Sequence, residues 1–272
     1  MKYQFELAGG SITGREHSRL GKNNQDAFAW YRNDHCLIAI VSDGCGSGAH
    51  SEVGAKLGVR LTIASIQQSL QEDDQSLNHQ AGWERLQNRL LAQLQRIAEQ
   101  LGGELEQTVQ NYLLFTIVGV VITSETTTCF AVGDGVFVIN GQVCHLGPFP
   151  GNAPPYLAYG LLNQPGYGFQ LKPVQQFPIH DLESLLIGSD GVSDLIQVAN
   201  QTLPGRSERV GSITQFWQDD RYFRNPDQVR RHLSLINREA ITLDTLTQQL
   251  LKHPGLLPDD TTLITIRKEA LC

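Results

Sequence analysis

The sequence predicts a layered α+β protein, on three observations. Apolar, β-branched runs of strand length recur from Cys36 to Lys268, two long segments of helical spacing stand in succession before most of them, and one Asn-Gly pair separates two apolar runs. The resulting order is strand, two helices, strands, helices and a last strand. That is not the strict strand-helix alternation of a parallel sheet.

The first element, Cys36–Ser42, "CLIAIVS", is apolar without interruption and reads as a strand. Ser51–Gln71 and Trp83–Leu101 place apolar residues at helical spacing. In the second, Leu86, Leu90, Leu94, Ile97, Ala98 and Leu101 form one stripe against a face of Gln, Arg and Glu, as expected of a helix packed on a sheet. Leu113–Thr123 and Thr126–Val132 read as strands. "VFVINGQVCHL" reads as a hairpin, because Asn140 and Gly141 tolerate the positive φ that a two-residue turn needs. Pro148–Tyr167, crowded with Pro, Gly, Asn and Tyr, reads as a loop able to cover something; Tyr156, Tyr159 and Tyr167 either fold it down or contact a substrate. Ser184–Asp190 reads as a strand, Ser193 to about Leu251 as mostly helical, and Thr261–Lys268 as the closing strand.

No repeat or linker divides the 272 residues, so one domain over 1–272 is expected, with a Pro/Gly-rich loop insertion near 148–168. No apolar run is long enough to cross a bilayer, and the first twenty residues lack the pattern of a secretory signal; a cytoplasmic protein is expected. Five cysteines without C-x-x-C spacing predict free thiols, with Cys36, Cys129 and Cys144 buried in strands. A net charge of -7 opposes non-specific nucleic-acid binding. A site handling phosphate in so acidic a chain needs metal. The sequence sets no oligomeric state.

"LIAIVSDGCGSGAHSEVGAKLGV", residues 37–59, runs a strand into an acid, a glycine-rich turn and a helix. Three sites use that design. A P-loop needs G-K-[ST], which is missing. "GCGSGA" satisfies G-x-G-x-x-[GA] and is also similar to the turn of S-adenosylmethionine-dependent methyltransferases, but Asp43 abuts Gly44 directly and no second strand ends in an acid about twenty residues on. In the third design the acid is the functional part and holds a metal, which predicts further acids at strand edges. They are present: Asp26, Asp43, Asp134, Asp190, Asp194, Asp259 and Asp260. One Asp-Gly pair is ordinary turn chemistry. Five acidic strand edges, however, repel one another unless a multivalent cation lies between them, and an all-oxygen donor set suits Mg²⁺ or Mn²⁺ rather than Zn²⁺.

The ordered phrases "NNQD", "SDGCGSG", "VGDG", "SDGVSD" and "DDTT", spread from about Ser11 to Lys268, resemble the motifs of the type 2C metal-dependent protein serine/threonine phosphatases; "GREHSRLGKNNQDA" is most similar to a bacterial branch. The resemblance implies two stacked antiparallel β-sheets flanked by helices, an α-β-β-α sandwich, acting on phosphoprotein substrates. It implies that Asp43 bridges two metals with the Gly44 carbonyl, that Asp190 and Asp259 each hold one, and that Asp26 orders metal-bound water. Asp134 and Asp194 would serve a third, weaker site. Two cations about 4 Å apart acidify a shared water and offset phosphoryl charge, so no protein nucleophile is required.

The chain departs from that pattern in three places. Gly21 stands where better-known members carry a phosphate-binding arginine; Arg15, Arg19 and Lys22 are the substitutes, Arg19 preferred for its two-pronged grip. Cys45 stands where some members have a histidine, which leaves His17, His50 or water to protonate the leaving group. Asp260 replaces an asparagine, and either raises the need for metal or faces solvent. The sequence thus points to a cytoplasmic phosphatase. Its alternatives are a regulatory metal-binding module of the same fold without turnover and, third, a methyltransferase.

Overall fold

The computed structural model describes residues 4–162, 169–244 and 248–269. Its strands are β1 (Phe5–Ile12), β2 (Ala27–Arg32), β3 (Leu37–Ser42), β4 (Ile117–Ile122), β5 (Thr126–Val132), β6 (Gly135–Ile139), β7 (Gln142–Leu146), β8 (Lys172–Pro178), β9 (Ser184–Gly188), β10 (Ala240–Asp244), β11 (Gln249–His253) and β12 (Thr261–Lys268). They form two five-stranded antiparallel sheets, ordered β1-β12-β9-β6-β7 and β2-β3-β4-β5-β8, and a separate β10-β11 hairpin. The helices that bear on the site are α1 (Arg15–Leu20), α2 (Ser51–Glu72) and α3 (Gln80–Leu101).

Side chains alternate across a strand, and β3 shows why its sequence does not alternate in polarity. Leu37, Ala39 and Val41 enter a core between the sheets, with Val118 and Val120 of β4 and Ile187 and Ile264 of the other sheet. Ile38 and Ile40 enter a second core beneath α2 and α3, with Leu86, Leu90 and Leu94. A third core packs the other sheet against the helices between Gly191 and Ile236, through Val192, Phe216, Leu233 and Leu263. The layers are therefore helices, sheet, sheet and helices. The α3 stripe meets α2 and reaches the sheet where Trp83 packs 5.0 Å from the ring of Phe130 on β5.

Several elements differ from the sequence expectation. The segment 193–251 is not mostly helical: beyond Ile236 it is the β10-β11 hairpin, whose "AITLD" alternates in polarity like a strand. The run Leu113–Thr123 becomes a strand only at Ile117, because Val109–Leu113 is a π-helical turn. β1 and β8 were not expected, and β2 only as the strand edge that Asp26 marks. β1 carries Gly9-Gly10, unfavourable in a strand, but a Cβ at Gly10 would lie 2.5 Å from the Arg230 backbone nitrogen. β8, "KPVQQFP", is a polar edge strand, where proline is tolerated. Cys36 and Cys129 are buried, but Cys144 is exposed because β7 is an edge strand. The mid-chain loop holds two short 3-10 turns, Pro150–Asn152 and Leu157–Leu161. Tyr167 lies outside the described residues.

Two glycines of α2 set the approach of the segment that leads into β4. A Cβ at Gly54 would overlap the Tyr112 carbonyl oxygen, and one at Gly58 the Phe115 ring. Gly54→Ala is therefore expected to lower unfolding free energy by about 2 kcal/mol or more, read from urea denaturation, whereas a helix-propensity effect alone would raise it.

Candidate metal centre

Antiparallel register brings the acids together. In one sheet Ala27 pairs with Ser42, Val41 with Val118 and Ile117 with Val132. The residues just outside those pairs, Asp26, Asp43, Thr116 and Gly133-Asp134, therefore share one end. In the other sheet Ile12 pairs with Thr261, Leu263 with Gly188 and Gly188 with Val136. That places Gly14, Asp259-Asp260, Asp190 and Asp134 together at its end. Asp134, in the turn from β5 to β6, joins the two ends.

Each acid is held by its neighbours. The Asp43 backbone N–H donates to Thr116 Oγ1 at 3.0 Å, and the Thr116 N–H donates to the Asp43 carbonyl at 2.8 Å. Gly44 passes so close to α2 that a Cβ would lie 2.7 Å from the Ser51 carbonyl oxygen, which explains a glycine after the acid. Ser189 Oγ donates to Asp26 Oδ2 at 2.7 Å, linking β9 to the start of β2. Asp260, only 2% exposed, accepts from the Gly14 N–H at 2.7 Å and the Gln25 N–H at 2.6 Å, and its Oδ2 lies 3.0 Å from His17 Nδ1. The solvent-facing option for Asp260 is thus corrected: it clamps the segment that carries His17 and Asp26 to the start of β12.

Burial and mutual repulsion dominate the electrostatics of the site. Burial, with repulsion from Asp26, Asp190 and Asp259, pushes the Asp43 carboxyl well above its ordinary range. Burial also pushes Asp26 to about 7, aided by Asp260, and Asp190 to about 7, aided by Asp259 and Asp134. Asp134 and Asp194 are raised too, by burial first and then by Asp259. Asp26 Oδ1 and Asp190 Oδ1 are buried with no hydrogen-bond partner. His17, Asp259 and Asp260 offer ligand atoms within 4.8 Å of one another. Unpartnered carboxylate oxygens in a mutually repelling group fit hard divalent cations.

The candidate cations are placed less evenly. Arg19, its side chain 72% exposed, pairs with Glu16 at 3.4 Å, while Arg15 donates to the Gly255 carbonyl at 2.7 Å. Lys22 Nζ donates to the Gly46 carbonyl of the glycine-rich turn at 3.1 Å. Gly21 closes α1 with φ 65°, a left-handed cap that favours glycine and disfavours an arginine there. His50 is exposed and stacks on Tyr112 at 5.1 Å. Sequence reasoning missed Thr116, Ser189 and the clamp made by Asp260. It also gave Tyr156 no firm place; the structure buries it beside Cys45 and near Asp43 and Asp134.

Fold and site together define a four-layer α-β-β-α protein with an acidic oxygen-donor centre at the shared end of its sheets. The chain belongs to the protein phosphatase 2C family, whose profile matches residues 13–221. No curated protein sequence matches it. Among solved structures it is similar to the serine/threonine phosphatase of S. agalactiae, with TM-score 0.54 and 16% identity over 98% of this chain and 100% of that one. A bacterial serine phosphatase gives 0.51 and 16%, over 99% and 100%. The serine/threonine phosphatase Stp1 from Staphylococcus aureus gives 0.50 and 16%, over 98% and 96%. The antiparallel pairing of β3 with β2 and β4 removes the methyltransferase alternative, which requires a parallel doubly wound sheet.

Because the Asp26 and Asp190 carboxyls rise from 3.8 to about 7 on folding, the metal-free native chain binds the extra protons. Their stabilising contribution is full below about pH 4 and is lost as pH rises through about 7. Thermal unfolding of chelated protein should show a midpoint that falls between about pH 5 and 8, a smaller fall in Asp190→Asn, and recovery on adding Mn²⁺ at the alkaline end. A midpoint indifferent to Asp190→Asn would contradict the assignment.

Proposed function

We propose that the chain is a Mg²⁺- or Mn²⁺-dependent phosphatase acting on phosphoserine and phosphothreonine in proteins. The observation that carries this reading is the gathering of Asp26, Asp43, Asp190 and Asp259 from both sheets into one mutually repelling group, buried at Asp26, half-buried at Asp43 and Asp190 and open to solvent at Asp259. Asp43, the Gly44 carbonyl, Asp190 and Asp259 would hold a pair of ions, and Asp134 and Asp194 would serve a third. When bound, such a pair supplies Lewis-acid charge and an acidified water for attack on phosphorus.

The chain's own residues do the rest. Asp26, fixed by Ser189, orders water beside Asp43. Lys22, already at the glycine-rich turn, holds phosphate oxygens; Arg19, exposed on α1 and paired with Glu16, is the second candidate cation. His17, with Nδ1 beside Asp260, keeps Nε2 to hand a proton to the leaving serine or threonine oxygen. The free thiols of Cys36, Cys45, Cys129 and Cys144 suit a reducing compartment such as the cytoplasm. Among the described residues no helix is long and apolar enough to cross a membrane. Gly21, set for a glycine where an arginine would grip phosphate, favours a second reading: a metal-binding regulator of the same fold without turnover.

The test is hydrolysis of p-nitrophenyl phosphate and of a phosphothreonine peptide by purified protein. Activity should require Mn²⁺ and be lost in Asp43→Asn, and Lys22→Ala should raise KM more than Arg19→Ala does. Activity that survives chelation contradicts the proposal; metal binding without hydrolysis selects the regulator.

A further inference from the structure

No residue between Gln201 and Leu256 has a part in the function proposed above, yet two segments of that stretch enclose a cleft of about 750 Å³, within the roughly 300–1,000 Å³ of small-ligand sites. We propose that this cleft is a metal-independent anion site that takes a phosphoryl group, whether of free phosphate or of a phosphorylated side chain. Its walls are loop 202–209 and the β10-β11 hairpin with the segment that follows it, and none of the acids of the metal centre lines it.

Both walls are anchored in the core that backs the sheet of β12: Leu203 of the loop and Leu257 beyond the hairpin pack there with Phe216 and Leu233. The loop is closed by the Leu203 N–H on the Glu208 carbonyl at 2.8 Å and the Arg206 N–H on the Leu203 carbonyl at 3.0 Å, and it turns at Gly205 with φ 68°. A Cβ there would lie 2.8 Å from the Ala240 Cβ, so glycine also lets the loop rest on β10. The other wall is held by the Leu256 N–H on the Ile236 carbonyl at 3.2 Å and the Leu257 N–H on Asn237 Oδ1 at 3.0 Å. The cleft is therefore formed before a ligand arrives.

Its chemistry is that of an anion site. Arg206 and Lys252 bring positive charge from the two walls, His253 and the hydroxyls of Thr202, Ser207 and Thr242 add polar groups, and among the described residues no carboxylate lines it. That is a departure in a chain of net charge -7. Thr242 Oγ1 and His253 Nε2 lie 2.8 Å apart, which fixes the ring against β10. Both cations have partners outside the cleft: Arg206 Nη1 lies 3.5 Å from Glu208 Oε2 and Lys252 Nζ 2.9 Å from Glu239 Oε2, all four side chains about half exposed or more. Exposed pairs of this kind contribute little. They place the cations without consuming them, because a guanidinium has five N–H donors and an ammonium three. Two fixed positive charges match a dianionic phosphoryl group better than a single carboxylate, and a guanidinium grips two of its oxygens at once.

The test is calorimetric titration of the full-length protein, freed of metal by chelation and dialysis, with inorganic phosphate and with N-acetyl-phosphoserine amide. Without metal the acidic centre repels phosphate, so the heat reports the cleft. Wild type should bind one equivalent, more weakly as sodium chloride is added. Arg206→Gln and Lys252→Gln should each weaken binding about 10-fold or more with the thermal midpoint unchanged. Tighter binding of inorganic phosphate identifies free phosphate as the ligand, and tighter binding of the amide a phosphorylated side chain. No binding of either, binding by both variants as tight as wild type, or loss of binding in Lys22→Gln would overturn the inference, the last by placing the phosphate at the metal centre. Because no metal is present, each of these outcomes leaves the metal-centred reading standing.

Discussion

Like charges confined at the end of a sheet are the constraint on which this structure turns. Asp26, Asp43, Asp134, Asp190 and Asp194 are all shifted toward protonation, first by burial and then by neighbouring carboxylates, Asp259 and Asp260 among them. No local propensity favours such a gathering. It persists because three apolar cores, one between the sheets and one under each helical layer, fix the strands whose ends carry the acids. The stabilisation lies in the layers and the chemistry at their rim.

The clamp at Asp260 shows how the rim is closed. The segment from Thr13 to Gln25 supplies His17 and leads to Asp26, yet α1 has no buried residue of its own. One carboxylate accepts from the backbone of Gly14 and of Gln25 and stands beside His17. An asparagine, with one acceptor oxygen, could not serve both backbone donors through separate oxygens. The aspartate in place of the asparagine expected from the resemblance thus has a structural reason, and its charge adds to the repulsion felt by Asp26.

Much of the fold was legible because β3, β4, β5, β9 and β12 are dense in β-branched and apolar residues, and because Asn140-Gly141 marks the β6-β7 hairpin. β1 was hidden by Gly9-Gly10, whose value lies in close packing against Trp30 and Arg230 that sequence does not display. The β10-β11 hairpin was mistaken for helix because its leucines and glutamines favour helices, while its pairing of Ala240 with His253 is invisible locally. The acids were legible as an ordered set of motifs, each too short to carry weight alone. The bonds that aim them were not. Asp260 reaches Gly14 across 246 positions, and Ser189 reaches Asp26 across 163.

The most direct measurement is anomalous scattering at the manganese edge from crystals of the full-length protein soaked in Mn²⁺. The account predicts two strong peaks, both in contact with Asp43, one also bound by Asp190 and the other by Asp259. Peaks only at surface carboxylates, with Asp43 left unliganded, would contradict it.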